Sequence, residues 1–193
     1  MRFVNEHSTA TLEVKQSKFI AYLLPYRDFS STLEKLKNEH QKARHFVTAY
    51  RYFNEHNQIV EHFSDDGEPR GTSGKPSLMV LQGADIINSA VIIVRYFGGT
   101  KLGTGGLVRA YSDAVNLVLN SFAVKLIEYQ EEMRVDISFE YSNIRKIEYE
   151  CLAHKIDILE KIFNTKSIYK LKAGKENMQK FLKSSYRLVE VLK

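Results

Sequence analysis

Apolar and polar positions alternate in short runs through the first half of the chain. Residues 9–14 and 18–24 read as strands. Over residues 45–53, Phe46, Thr48, Tyr50 and Tyr52 face one way while His45, Val47, Ala49 and Arg51 face the other. Between these segments Ser31 and Glu34 carry a capping-box signature, which predicts a helix running to about His40. A hairpin loop over residues 54–57 leads to a partner strand at 58–63, followed by a polar loop from Ser64 to Pro76 with three glycines and two prolines. A short helix is predicted at 76–81. The run Ala-Val-Ile-Ile-Val within residues 89–97 does not alternate, so that strand is expected to be central and covered on both faces. From Gly106 to about Asn120 the period turns helical: Leu107, Ala110, Tyr111, Ala114 and Val118 form one stripe, opposite Arg109, Ser112, Asp113 and Asn116.

A strand is predicted at 122–127, and the polar stretch after it, near residues 128–132, is expected to separate two domains, 1–128 and 129–193. Beyond that stretch Met133, Val135, Ile137, Phe139 and Tyr141 alternate with polar residues, as in a half-buried strand. Ile144, Ile147, Cys151 and Leu152 follow helical spacing. Strands at 156–163 and 167–172, a helix at 175–185 and a strand at 187–192 complete the order β-α-β-β-α-β of a ferredoxin-like unit. The chain is therefore read as an α+β protein of two domains.

Composition narrows the setting. The 193 residues are 44% hydrophobic and 26% charged, ordinary values for a folded protein. The first residues show no apolar signal-peptide core, and the longest apolar run, 90–94, is far too short to span a bilayer. The single cysteine, Cys151, excludes an internal disulfide, so a reducing, cytoplasmic setting is expected, with no membrane partner. Net charge is +5, with 10 Lys/Arg against 4 Asp/Glu over residues 155–193. That basic third suits RNA, an acidic protein or a plain solvated face.

Candidate chemistry concentrates in residues 95–109, Arg-Tyr-Phe-Gly-Gly-Thr-Lys-Leu-Gly-Thr-Gly-Gly-Leu-Val-Arg. Five of the ten glycines, Gly98, Gly99, Gly103, Gly105 and Gly106, lie here between a buried strand and an amphipathic helix. Glycine allows successive N–H groups to converge, the helix N-terminus adds partial positive charge, and Arg95, Lys101 and Arg109 add full charges. Arg109 is expected in the first helical turn, where an anionic partner would explain a cation. Two readings stay open: a phosphate-binding loop, or a scaffold whose arginines are consumed by nearby carboxylates. The known phosphate motifs are absent. Thr104 replaces the Walker lysine, and Val108 replaces the last glycine of a dinucleotide fingerprint.

The loop at 64–76 supplies Asp65, Asp66 and Glu68, candidates for an acid/base pair, for Mg²⁺, or for turn formation and pairing with Arg70, Arg95 or Arg109. No further acid follows at ligand spacing, and the six histidines match no zinc pattern, so no metal or cofactor is expected. His45 and Arg51 share a strand face and are the best side-chain candidates from that strand. No nucleophile signature is legible, so no catalytic residue is assigned.

Taken together, Ser-Asp-Asp-Gly-Glu-Pro-Arg-Gly-Thr-Ser-Gly-Lys-Pro at 64–76, Val-Arg-Tyr-Phe-Gly-Gly-Thr-Lys-Leu-Gly-Thr-Gly-Gly-Leu-Val-Arg-Ala-Tyr at 94–111, Lys-Phe-Ile-Ala-Tyr at 18–22 and Ala-Arg-His-Phe-Val-Thr-Ala-Tyr-Arg at 43–51 resemble the IMPACT/YigZ family. One departure is Phe46, where members often carry a small or polar residue after the motif histidine. The resemblance covers roughly residues 15–120 and extends more loosely to the C-terminal unit. It implies an N-terminal fold like a ribosomal small-subunit protein domain and domain IV of elongation factor G, a β-sheet with helices on one face. It also implies a ferredoxin-like C-terminal domain similar to domain V of that factor. Eukaryotic relatives act as translation-linked regulators through a protein partner. The expected function is non-catalytic RNA binding linked to translation. A protein-interaction regulator of a translation-stress pathway and an enzyme binding a nucleotide or phosphorylated small molecule are the alternatives.

Overall fold

The computed structural model describes residues 1–121 and 124–192. The chain separates into two compact units, Met1–Tyr129 and Gln130–Lys193.

The first unit is built on an antiparallel sheet formed by β2 (Ser8–Val14), β3 (Ser17–Pro25), β4 (His45–Phe53), β5 (Ile59–Ser64) and β6 (Ser89–Tyr96) in the order β2-β3-β6-β4-β5. The small pair β1 (Arg2–Val4) and β7 (Leu126–Glu128) stands beside it. Of the strand expected at 122–127, Phe122 and Ala123 lie outside the described residues, and β7 begins at Leu126. Helices α1 (Phe29–Glu39), α2 (Gly74–Gly83) and α3 (Gly103–Leu119) complete the unit.

β6 is central and buried from Ser89 to Arg95, as its unbroken apolar run predicts. Its odd positions, Val91 and Ile93, join Val47, Ala49, Leu107, Tyr111 and Ala114 in the core beneath α2 and α3. Its even positions, Ala90, Ile92 and Val94, pack with Leu24 and Leu36 under α1. The two helices flanking β6 in sequence thus share one face, and α1 covers the other. The alternation in β4 follows the same division, with Val47 and Ala49 on the α3 side and Phe46 and Tyr50 on the α1 side.

Two helix starts differ from expectation. The capping box does not form: α1 begins at Phe29, and the Ser31 hydroxyl donates to the Asp28 carbonyl at 3.1 Å. α3 begins at Gly103, three residues earlier than its period suggests, because packing of Leu107, Ala110 and Tyr111 against the sheet outweighs the low helix propensity of glycine. Arg109 therefore sits in the second turn, not the first.

In the second unit β8 (Glu132–Phe139), α4 (Ile144–Ala153), β9 (Asp157–Phe163), β10 (Ser167–Gly174), α5 (Lys175–Ser185) and β11 (Glu190–Leu192) give the sheet order β11-β8-β10-β9. This is the ferredoxin-like topology that the element order implies. Val135, Ile137, Tyr169 and Leu171 face Ile147, Cys151, Met178 and Phe181 in one core. Cys151 is buried, which pushes its thiol up to about 11, with the Glu148 charge adding to the effect. Leu152, counted in the apolar stripe, is 80% exposed, since the helix turns it away from the sheet. No helix among the described residues is long and apolar enough to cross a membrane.

Candidate functional site

Three neighbouring strands place one row of side chains on the α3 face. Phe19 of β3 and His45 of β4 are both register partners of Arg95 on β6. Register partners share a face, so the Arg95 side chain enters the core between an aromatic ring and an imidazole. Its guanidinium lies 5.3 Å from the Phe19 ring centroid and 5.7 Å from that of Phe97. Arg95 is only 5% exposed. A charge this deep needs a counter-ion, and Glu68 provides it: Nη1 donates to the Glu68 carboxylate, itself 8% exposed. The same Glu68 oxygen accepts the Tyr111 hydroxyl at 2.8 Å, and His45 Nε2 stands 4.0 Å away. Burial first, and then the Glu68 charge, holds the Tyr111 phenol far above its ordinary range, so it stays protonated and donates.

The loop carrying Glu68 is pinned by its own acids. Glu68 N–H donates to the Asp65 carbonyl at 3.0 Å, closing a turn whose central residues, Asp66 and Gly67, have φ of 42° and 84°. Asp-Gly suits that left-handed pair. The Asp65 carboxylate accepts from Gly71 N–H at 2.7 Å, Gly74 N–H at 2.8 Å, Ser73 N–H at 3.2 Å and the Ser73 hydroxyl at 2.7 Å. It thus occupies the N-terminal end of α2. Burial raises its pKa, yet the donors from Gly71, Ser73 and Gly74 outweigh that and leave it lowered. Asp66 accepts from Phe46 N–H at 2.6 Å, and its carbonyl accepts from His45 Nδ1 at 2.7 Å. That bond orients the imidazole with Nε2 toward Glu68.

The start of α3 is arranged differently. Leu102 is its N-cap residue, and among the described residues no side-chain hydrogen bond caps the helix. Gly103, at φ 72°, adopts a backbone that a side chain would strain. Gly98 serves close approach: a Cβ there would fall 2.0 Å from the Gln16 carbonyl carbon and 2.2 Å from Ser17 N. This contact fixes the loop against the β2–β3 turn, where Gly98 N–H donates to the Ser17 hydroxyl at 3.1 Å. Between the loop and the sheet lies a cleft of about 340 Å³. Arg95 and Glu68 line it, with Lys101, Gly103 and Thr104 from the α3 end, and Pro69, Phe97, Leu102 and Leu107 supply apolar wall.

Of the residues singled out in the sequence, the structure brings Glu68, Arg95, Lys101 and Gly103 to this cleft and sets His45 beside Glu68. Gly98 and Gly99 form the turn leading to it, and Gly105 and Gly106 lie in the first turn of α3. Asp65 and Asp66 are consumed in holding the loop. Arg51 is elsewhere: six residues along β4 from His45, it bonds Glu61 at 2.6 Å and the Ile86 carbonyl at 2.8 Å. Arg109 is exposed on the solvent side of α3, opposite Leu107, Ala110 and Tyr111, with no hydrogen-bond or ion-pair partner among the described residues. The two open readings of the arginines thus divide, with Arg95 paired and Arg109 free. The basic C-terminal third is also largely spoken for, since Lys161, Lys166, Lys170, Lys172, Lys175 and Lys180 each meet a glutamate within 3.1 Å. Among the described residues, no three His, Cys, Asp or Glu side chains converge to hold a metal ion.

Tyr111 and Phe97 were not among the predicted site residues. A tyrosine inside an otherwise apolar stripe signals a buried hydroxyl that needs an acceptor. An aromatic side chain where a buried strand meets glycines signals a ring left at the surface.

The Impact N-terminal domain family matches residues 15–119, which span four of the five strands of the sheet (β3, β4, β5 and β6), the Asp65–Glu68 turn and all of α3. An IMPACT family member of Haemophilus influenzae is 36% identical over 92% of this chain and 89% of its own length. The Escherichia coli IMPACT family member YigZ is 39% identical over 61% of this chain and 59% of its own. A crystal structure of a hypothetical protein superposes with a TM-score of 0.69 at 27% identity, covering 99% of this chain and 95% of that one. With both loops of the cleft inside the family match and a relative 36% identical over 92% of this chain, the chain belongs to the IMPACT family.

Proposed function

We propose that this chain is a cytoplasmic, non-catalytic RNA-binding protein linked to translation or its regulation, which holds RNA at the N-terminal end of α3. The observation that carries this reading is an imbalance of charge. The carboxylates nearest the α3 end are committed to internal bonds: Asp65 to α2, Asp66 to Phe46, and Glu68 to Arg95 and Tyr111. Lys101, Arg109 and Arg70, which follows the cleft residue Pro69, are exposed and unpaired among the described residues. Uncapped helix N–H groups beside them add partial positive charge. This surface can hold backbone phosphates, and half-exposed Phe97 next to it offers a ring on which a base can stack. An acidic protein would meet the same cations but would have less use for that ring, which favours RNA. The C-terminal lysines paired with glutamates are less available to phosphate than their number suggests.

The test is a titration of a labelled single-stranded oligoribonucleotide against the full chain at several salt concentrations. Arg109→Ala, on the outer face of a helix that tolerates alanine, is expected to weaken binding and to reduce the slope of log K against log salt by about 0.7. Absence of binding at low salt, or an unchanged slope in the variant, overturns the reading.

A further inference from the structure

We infer that the cleft between Arg95 and the start of α3 is a site for a nucleoside phosphate monoester, with the phosphate at Arg95, Lys101 and the helix amides and the base against Phe97. The nucleotide is either free or the 5′ end of a strand; only the second case rests on the RNA reading above.

The key observation is Arg95. Its guanidinium carries five N–H donors in a fixed plane, and among the described residues only Nη1 has a hydrogen-bond partner, the Glu68 carboxylate. Nε is buried with no hydrogen-bond partner among the described residues. An arginine that is nineteen parts in twenty buried and lines a cleft with most of its donors unused is built for an acceptor that is not part of the fold. On the opposite wall, Gly103 and Thr104 present the first N–H groups of α3, and no side-chain hydrogen bond among the described residues caps them. Lys101 adds a second full charge. Arg95 and Lys101 against Glu68, with about half a charge from the helix end, leave roughly +1.5. That matches a monoester dianion better than the single charge of an internal phosphodiester.

Size and wall chemistry select the rest of the ligand. The cleft, at about 340 Å³, is far larger than a phosphate needs. Pro69, Leu102 and Leu107 line it with apolar surface, and Phe97, 50% exposed, offers a ring to a planar group. A sugar phosphate would leave that ring uncovered, whereas a nucleobase covers it.

The experiment uses full-length ¹⁵N-labelled protein and four probes: inorganic phosphate, adenosine 5′-monophosphate, and one short oligoribonucleotide with either a 5′-phosphate or a 5′-hydroxyl. Adenosine monophosphate is expected to shift the amides of residues 103–106. The 5′-phosphate strand is expected to bind about tenfold more tightly than its 5′-hydroxyl counterpart, the value of added charge-assisted bonds. Phe97→Ala, an exposed change that leaves the core intact, is expected to weaken adenosine monophosphate about tenfold while leaving the phosphate response unchanged. Lys101→Ala is expected to weaken both. If adenosine monophosphate moves no amide at the α3 end and the two strands bind equally, the inference falls while the RNA reading stands. If adenosine monophosphate binds and neither strand does, the RNA reading falls and the cleft remains a free-nucleotide site. If inorganic phosphate binds as tightly as the nucleotide, the nucleoside part is wrong.

Discussion

Removing the Glu68 carboxylate tests whether the buried cluster holds the first unit together. Its side chain is 4% exposed and that of Arg95 6%, so neither ion has access to bulk water. Glu68→Ala leaves the guanidinium, whose Nε already has no hydrogen-bond partner among the described residues, buried without a counter-ion. Breaking one side of such a pair costs about 3–5 kcal/mol. The Tyr111 hydroxyl also loses its acceptor, a loss of about 1–3 kcal/mol for a buried donor. The two losses do not add, because the same oxygen accepts both bonds. The expected cost is therefore about 3–5 kcal/mol, a large fraction of the roughly 5–15 kcal/mol that holds a domain folded. Glu68→Gln, which keeps the shape and one carbonyl oxygen, is expected to cost about 1–3 kcal/mol. Replacing both partners, Glu68→Leu with Arg95→Met, is expected to recover stability relative to Glu68→Ala, since no buried charge then remains. Urea unfolding followed through the β6 amides by NMR reads the first unit separately from the second. A Glu68→Ala loss below about 1 kcal/mol, or a double variant no more stable than that single one, would refute the account of the cluster as a desolvated ion pair.

Two further outcomes follow from the loops. Asp65 has a folded pKa below its unfolded value, so it stabilises the protein above the unfolded value near 3.9 and loses that contribution as pH falls through the depressed folded value. Asp65→Asn is expected to be less stable at pH 7 and to lose less on acidification below about pH 4; parallel pH–stability curves in urea for the two proteins would contradict this. Gly98→Ala places a Cβ 2.0 Å from the Gln16 backbone and is expected to lower the thermal midpoint sharply. Gly105→Ala meets nothing within 4 Å and is expected to leave the midpoint unchanged or raise it, and a reversal of that order in a melting experiment would show that the loop packs otherwise.

Much of the secondary structure, and the glycine segment that lines the candidate site, were legible because each depends on near neighbours along the chain. The alternation at His45–Arg51 assigned faces correctly, since a strand turns successive side chains to opposite sides whatever packs on them. The apolar run in β6 declared its central position, and the order of elements after residue 130 implied the ferredoxin-like sheet. The glycines also marked a real structural need at Gly98 and Gly103, where close approach and positive φ exclude a side chain.

Only the tertiary structure decided which charges are used up and which are available. Arg51, Arg95 and Arg109 are the same residue type, yet one is tied to Glu61 and the Ile86 carbonyl, one is buried on Glu68, and one is exposed with no partner among the described residues. Charge and hydrogen-bond pairing depend on distances of 3–4 Å between segments far apart in sequence. Arg95 and Glu68 are 27 residues apart, Tyr111 and Glu68 are 43 apart, and no local period records either contact. The glycine segment from Gly98 to Gly106 was recognisable as a functional candidate from its composition. That it shares a cleft with Glu68 and a half-paired Arg95 follows from how β6, α3 and the Asp65–Glu68 turn meet on one face of the sheet.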